Sequence, residues 1–316
     1  MNKSRIVGIL LGILCLIVVV PALIARFEPS SDRTMTGIKL ADTSYQEIRF
    51  QNEAQGVELG GMLFVPEGSG PHPAAVIIHG SGTSRRDNRW YLTLTDFLVK
   101  HGIAVLLPDK RGSEQSKGDW RSSSFEDLAT DTIAAISYLE NQQELEISKL
   151  GVVGLSQGGH IAPLIASKTA GVEYLVNVVG GVAPMRDQLV YEENHNLRQM
   201  GFLPGVSDVI ARISSSWLIH VGQPEFWSAI GDFDNTTHWQ ELSIPALALY
   251  GADDTNVDSR QSVARLESMQ KPNLKVVIFA GSGHALEDPP ERGDSIFRED
   301  ALEQIVEFIR ADQPHD

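Results

Sequence analysis

The sequence predicts an α/β fold, with a mostly parallel central sheet flanked by helices and a helical insertion near its middle. Three observations carry this expectation. Six short apolar runs end in glycine or polar residues, as strands buried on both faces do. Segments of helical periodicity fall between those runs, so strand and helix alternate, which points to parallel pairing through right-handed crossovers. The alternation lapses only between residues 184 and 242, where Phe202, Trp217, Phe226, Trp227, Phe233 and Trp239 argue against a structureless loop of that length. That stretch is expected to be a helical lid.

Taken in order, residues 1–26 form a separate object. Lys3 and Arg5 precede twenty residues, 6–25, without a charge. As a helix at about 1.5 Å per residue they would extend roughly 30 Å, about one hydrocarbon core. An uncleaved membrane anchor is therefore expected, with Lys3 and Arg5 inside and the rest of the chain periplasmic or extracellular. The rival is a cleaved signal and a secreted protein, but Ala22-Leu23-Ile24 before Ala25 is a poor cleavage site. Leu14 before Cys15 argues against lipidation. Residues 27–45 are polar and aperiodic and read as a linker. The catalytic-type domain is then expected over residues 46–311.

Within it, two β-like segments at 46–52 and 57–65 come first. The buried-strand runs follow: "AAVIIHG" (74–80), "GIAVLLPD" (102–109), "KLGVVGLS" (149–156), "YLVNVVG" (174–180), "IPALALYG" (244–251) and "LKVVIFAG" (274–281). Helices are predicted at 90–101, 125–141, 157–168, 258–270 and 300–310. With 42% hydrophobic residues the chain can bury a sizeable core. Its net charge of −15 repels phosphate backbones and argues against a nucleic-acid partner. Cys15 is the only cysteine, so outside the N-terminal apolar stretch there is neither a thiol nucleophile nor a zinc–thiolate site. The histidines show no metal-ligand spacing, and no cofactor is implied.

In parallel sheets, functional groups gather at the carboxyl ends of strands. Here one strand delivers Ser156 inside "GLSQGG", another delivers Asp253-Asp254, and a third delivers His284 after "GSG". A serine hydroxyl is a weak nucleophile that needs a base, and the base needs a third group to hold its tautomer. The glycines around Ser156 permit a turn sharp enough to project its Oγ. Serine, acid and histidine thus arrive in one order at three strand ends.

These features resemble the α/β-hydrolase family, in particular its dienelactone-hydrolase-like and serine-aminopeptidase-like esterase branches. The resemblance spans roughly residues 46–310 through "HGSG" (79–82), "PDKRGSEQS" (108–116), "GLSQGG", "GADDTNV" (251–257) and "GSGH" (281–284). It implies a catalytic triad of Ser156, Asp254 and His284, the acid falling on Asp254 with Val257 in step and Asp253 as fallback. It also implies an oxyanion hole from the backbone N–H groups of Gln157 and Ser81, with Gly82 as neighbour. His79, His160 and the Asp109-Lys110-Arg111 loop read as scaffold. The expected activity is hydrolysis of a small-molecule carboxylic ester through an acyl-enzyme. A peptidase or amidase would use the same triad, and an acyltransferase would differ only in excluding water. A non-catalytic binding protein on this fold commonly loses a triad member, whereas all three are present. Glu192, Glu193, Glu225, Asp232 and Asp234 are expected to be a solvated face, and Trp217 and Trp227 to set acyl-chain preference from the lid.

Overall fold

The computed structural model describes residue 8 and residues 33–311. Eight strands form one sheet: β1 (Gln46–Asn52), β2 (Val57–Phe64), β3 (His72–Ile78), β4 (Ala104–Pro108), β5 (Ile147–Leu155), β6 (Tyr174–Val178), β7 (Ala246–Gly251) and β8 (Leu274–Phe279). Their order is β1-β2-β4-β3-β5-β6-β7-β8. β1 and β2 pair antiparallel, β2 joins β4 antiparallel, and every later pairing is parallel.

The apolar runs read as they do because both faces of the sheet are covered. Along β3, Ala74, Val76 and Ile78 enter one core and Ala75 and Ile77 the other, as a two-residue period requires. On the first face lie α2 (Phe125–Glu140), α3 (Gln157–Lys168) and α8 (Ser259–Ser268); on the second lie α1 (Arg89–Lys100) and α9 (Glu299–Arg310). Local chemistry sets their starts. Ser124 and Asp127 form a reciprocal capping box at α2, and the Asn88 and Asp258 side chains cap α1 and α8. α9 buries Ala301, Leu302, Ile305, Val306 and Ile309 along one stripe. Each large aliphatic side chain there contributes roughly 1.5–3 kcal/mol by burial.

The insertion is helical. It contains α4 (Met185–Gln199), α5 (Pro204–Trp217), a π-helical turn (Leu218–Gly222), α6 (Pro224–Ile230) and α7 (Thr236–Glu241). Trp227, Ile230, Trp239 and Leu242 are buried and continuous with the first core. Phe226 is half-buried, whereas Trp217 is 59% exposed.

The packed domain begins earlier than residue 46. Thr36 bridges Ser295, the Ile38 N–H donates to Thr93 Oγ1 at 3.0 Å, and Arg33 Nη1 donates to the Asp288 carbonyl at 2.6 Å. Ile38, Leu40 and Tyr45 pack on the second core. Their irregular spacing carries no helix or strand period, which is why the segment reads as linker in the sequence. None of the described helices is long and apolar enough to cross a membrane. The expected anchor at residues 1–26 lies, apart from Gly8, outside the described residues.

Candidate active site

Ser156 sits between β5 and α3 with φ 54° and ψ −118°, a left-handed conformation that costs a non-glycine residue about 1–3 kcal/mol. Its N–H donates to the Val178 carbonyl at 2.8 Å, so the turn is tied to β6. The flanking glycines are required by close approach. A Cβ on Gly154 would strike the Gly158 carbonyl, and one on Gly158 would strike the Ile78 carbonyl. The helix start can therefore press against β3 and β5, leaving the serine side chain at the carboxyl end of the sheet.

His284 and the acid reach it from β8 and β7. His284 Nε2 lies 2.9 Å from Ser156 Oγ, and His284 Nδ1 lies 2.8 Å from Asp254 Oδ2. The Asp254 side chain is fully buried, and its Oδ1 accepts the backbone N–H groups of Asn256 at 2.8 Å and Val257 at 2.9 Å. Asp253 is exposed and engages the site only through its backbone N–H to Ser282. The histidine loop is held on several sides. Trp90 Nε1 donates to the Ala285 carbonyl at 2.8 Å, Gly283 N–H donates to Glu287 Oε1 at 3.0 Å, and Arg298 Nη1 donates to Ser282 Oγ at 2.7 Å. With Nδ1–H directed at a buried carboxylate, Nε2 is the free base facing the hydroxyl. The arrangement can remove the Ser156 proton as Oγ attacks an electrophile.

The remaining sequence candidates take distinct places. Gln157 is the first residue of α3, where backbone N–H groups have no acceptor within the helix. Ser81 is exposed in the loop after β3, beside Gly82 at φ +83°. His79 is buried, with Nε2 2.7 Å from the Pro108 carbonyl, and burial lowers it to about 4. His160 is likewise buried and lowered to about 4 by desolvation, with Nδ1 2.7 Å from the Gly181 carbonyl. Asp109 accepts a two-point bond from Arg86, and Asp131 accepts one from Arg111 in the same way.

Two sequence readings change here. Trp217 is exposed and Trp227 is buried in the first core, and neither lines the cleft of about 600 Å³ that Ser81, Gly82, Trp120, Arg121, Gln223 and Phe226 form. Trp120 and Phe226 meet edge to face across it, with centroids 6.0 Å apart. Glu192 is not on a solvated face. It accepts from Asn256 Nδ2 at 3.2 Å and is raised above the usual carboxylate range by burial. Tyr191, beside it, donates to the Asp254 carbonyl at 2.9 Å. Nothing in the spacing of the acidic residues marks Glu192 apart from its neighbours. Among the described residues, no group of three or more His, Cys, Asp or Glu side chains is placed to hold a metal ion.

The profile of the family described as BAAT / acyl-CoA thioester hydrolase C terminal matches residues 133–293, half of the chain. The chain belongs to this α/β-hydrolase family. The match takes in the serine turn, the aspartate loop and the histidine loop. A second profile, BD-FAE, matches residues 62–190. Esterase EstD of Thermotoga maritima is 25% identical over 246 residues, covering 72% of this chain and 58% of that protein. Acyl-coenzyme A thioesterase 3 of Mus musculus is 23% identical over 238 residues, covering 72% and 50%. The chain thus spans about half the length of the curated relatives it matches. Among solved structures, an esterase of Pyrococcus furiosus superposes with a TM-score of 0.61 at 18% identity, covering 88% of this chain and 97% of that chain. That likeness is one of fold.

Proposed function

We propose that this hydrolase cleaves carboxylic esters of small molecules through an acyl-enzyme on Ser156. The observation that carries the reading is the continuous contact from Asp254 Oδ2 through both ring nitrogens of His284 to Ser156 Oγ, at 2.8 and 2.9 Å. In the first half-reaction His284 Nε2 takes the serine proton while Oγ bonds to the acyl carbon, and the carbonyl electron pair moves onto oxygen. The Ser81 and Gln157 N–H groups face that oxyanion. Collapse expels the leaving group, which takes the proton back from His284. Water then enters by the same route in reverse, giving the acid and free serine. Asp254 keeps Nδ1 protonated and offsets the imidazolium charge.

Relatives named esterase and acyl-CoA thioesterase support both oxygen and sulfur leaving groups. The cleft walls of Trp120 and Phe226 suit an apolar acyl portion. The test is a panel of p-nitrophenyl esters of increasing chain length, acyl-CoA thioesters and aminoacyl nitroanilides, with Ser156→Ala as control. Ester turnover that vanishes in Ser156→Ala is the expected result. Cleavage confined to nitroanilides would make the chain a peptidase, and turnover surviving in Ser156→Ala would reject the mechanism.

We also infer that residues 6–25 anchor the chain in a membrane, with Lys3 and Arg5 inside and Ser156 on the outer side. Full-length protein should then stay with membranes through a carbonate wash. Soluble protein with a new N-terminus near Ala25 would make the segment a cleaved signal and the enzyme secreted.

A further inference from the structure

Lys110, just past β4, is buried to 9% exposure although nothing in the reaction above uses it. Its Nζ donates to the Gly80 carbonyl at 2.9 Å and to Gln157 Oε1 at 2.8 Å, and lies 5.0 Å from the centre of the Trp120 ring. Among the described residues no carboxylate lies within ion-pair distance of it. The acids that line the same pocket as Lys110 are engaged elsewhere, Asp109 with Arg86 and Asp131 with Arg111. Desolvation lowers its pKa to about 7, so its charge is held at a cost. A buried ammonium aimed at two neutral oxygens is a poor way to stabilise a fold, because a methionine of similar length would fill the same space without that cost.

The identity of the two oxygens gives the lysine a different role. The Gly80 carbonyl and the Ser81 N–H belong to one peptide unit, and that unit is trans. In a trans peptide the C=O and N–H point in opposite directions. A cation on the carbonyl therefore fixes the plane with the N–H facing away from Lys110, and it polarises the unit so that the N–H becomes a stronger donor. The loop is pinned on either side of that peptide: Gly80 N–H donates to Tyr91 Oη at 2.8 Å, and His79 bonds the Pro108 carbonyl. The second oxygen belongs to Gln157, whose backbone N–H is the other donor assigned to the oxyanion. One ammonium thus touches both the peptide unit that carries the Ser81 N–H, after β3, and the side chain of Gln157, after β5.

We propose that Lys110 is the positioning residue of the oxyanion hole, holding the Gly80–Ser81 peptide and Gln157 so that both N–H groups meet the tetrahedral oxyanion. The inference rests on the acyl-enzyme reading above and adds a residue to it. A group that acts on the transition state and not on the bound ester lowers kcat with little change in KM. Loss of one oxyanion donor typically costs about 10²–10³ in kcat.

The test compares full-length wild type, Lys110→Met and Lys110→Ala on one p-nitrophenyl ester, with the active fraction of each counted by titration with a fluorophosphonate. Lys110→Met should lose about 100-fold in kcat per titrated site with KM within about threefold. Ethylammonium should restore at least tenfold of the loss in Lys110→Ala, whereas tetramethylammonium, which has no N–H, should restore nothing. If Lys110→Met does not fold, Lys110→Gln is one bond shorter but keeps an uncharged N–H donor group, and an intermediate kcat at unchanged KM is the expected result. A kcat within threefold of wild type in the folded variants, or a loss confined to KM or to the titratable fraction, would overturn the assignment while leaving the Ser156 mechanism standing. A wild type that neither titrates nor turns over would overturn both.

Discussion

Asp253 and Asp254 are neighbours of identical chemistry, and burial separates their roles. Asp254 receives two backbone N–H groups and the imidazole, with its side chain wholly out of water, whereas Asp253 faces solvent. A carboxylate that must fix a tautomer and offset an imidazolium works best in the first of these settings. Asp254→Asn should therefore cut kcat by about 10⁴ while Asp253→Asn stays within about threefold, as measured on one chromogenic ester. The reverse order would move the acid to Asp253. The family pattern in the sequence already favours position 254, and the structure adds the physical difference between the two. Lys110 was not legible in the same way. Its partners Gly80 and Gln157 are 30 and 47 residues distant, and only the sheet order that places β4 beside β3, and β3 beside β5, brings them to one ammonium.

At the level of elements, each of the eight strands and the five helices outside the insertion was legible in the sequence, because the short apolar runs of the parallel strands, the two β-like segments before them and the amphipathic helices have distinct periods. The insertion was legible only as helical. Its aromatic residues carry no mark of which face they occupy, and adjacent Phe226 and Trp227, about 100° apart on a helix, divide between cleft and core. Phe226→Ala should accordingly shift the preferred acyl-chain length across an ester series with little loss of stability. Trp227→Ala should cost about 3–5 kcal/mol of stability, read from urea unfolding, because it empties a packed interior. Trp217→Ala should do neither. An unchanged chain-length profile in Phe226→Ala would show that the acyl group lies elsewhere.

For the molecule as a whole, two buried histidines tie stability to acid. His79 and His160 are both lowered from 6.5 to about 4 by desolvation. Between those values the unfolded chain binds protons that the folded chain refuses, so stability rises with pH across this window. It is fully present above about 6.5 and is lost as pH falls toward 4, by on the order of 3 kcal/mol for each histidine. Urea midpoints should fall steadily from pH 7 to pH 4.5, and His160→Gln should flatten part of that slope. A slope identical in the variant would mean that the histidine is protonated in the fold.

The central claim is that one serine among the many in this chain forms a covalent bond with the substrate acyl group. It is tested most directly by treating the folded protein with a small fluorophosphonate and reading intact mass, then the modified peptide. A single adduct on Ser156 is expected, absent in Ser156→Ala and formed orders of magnitude more slowly in His284→Ala. An adduct on any other serine, with Ser156 unmodified, would contradict it.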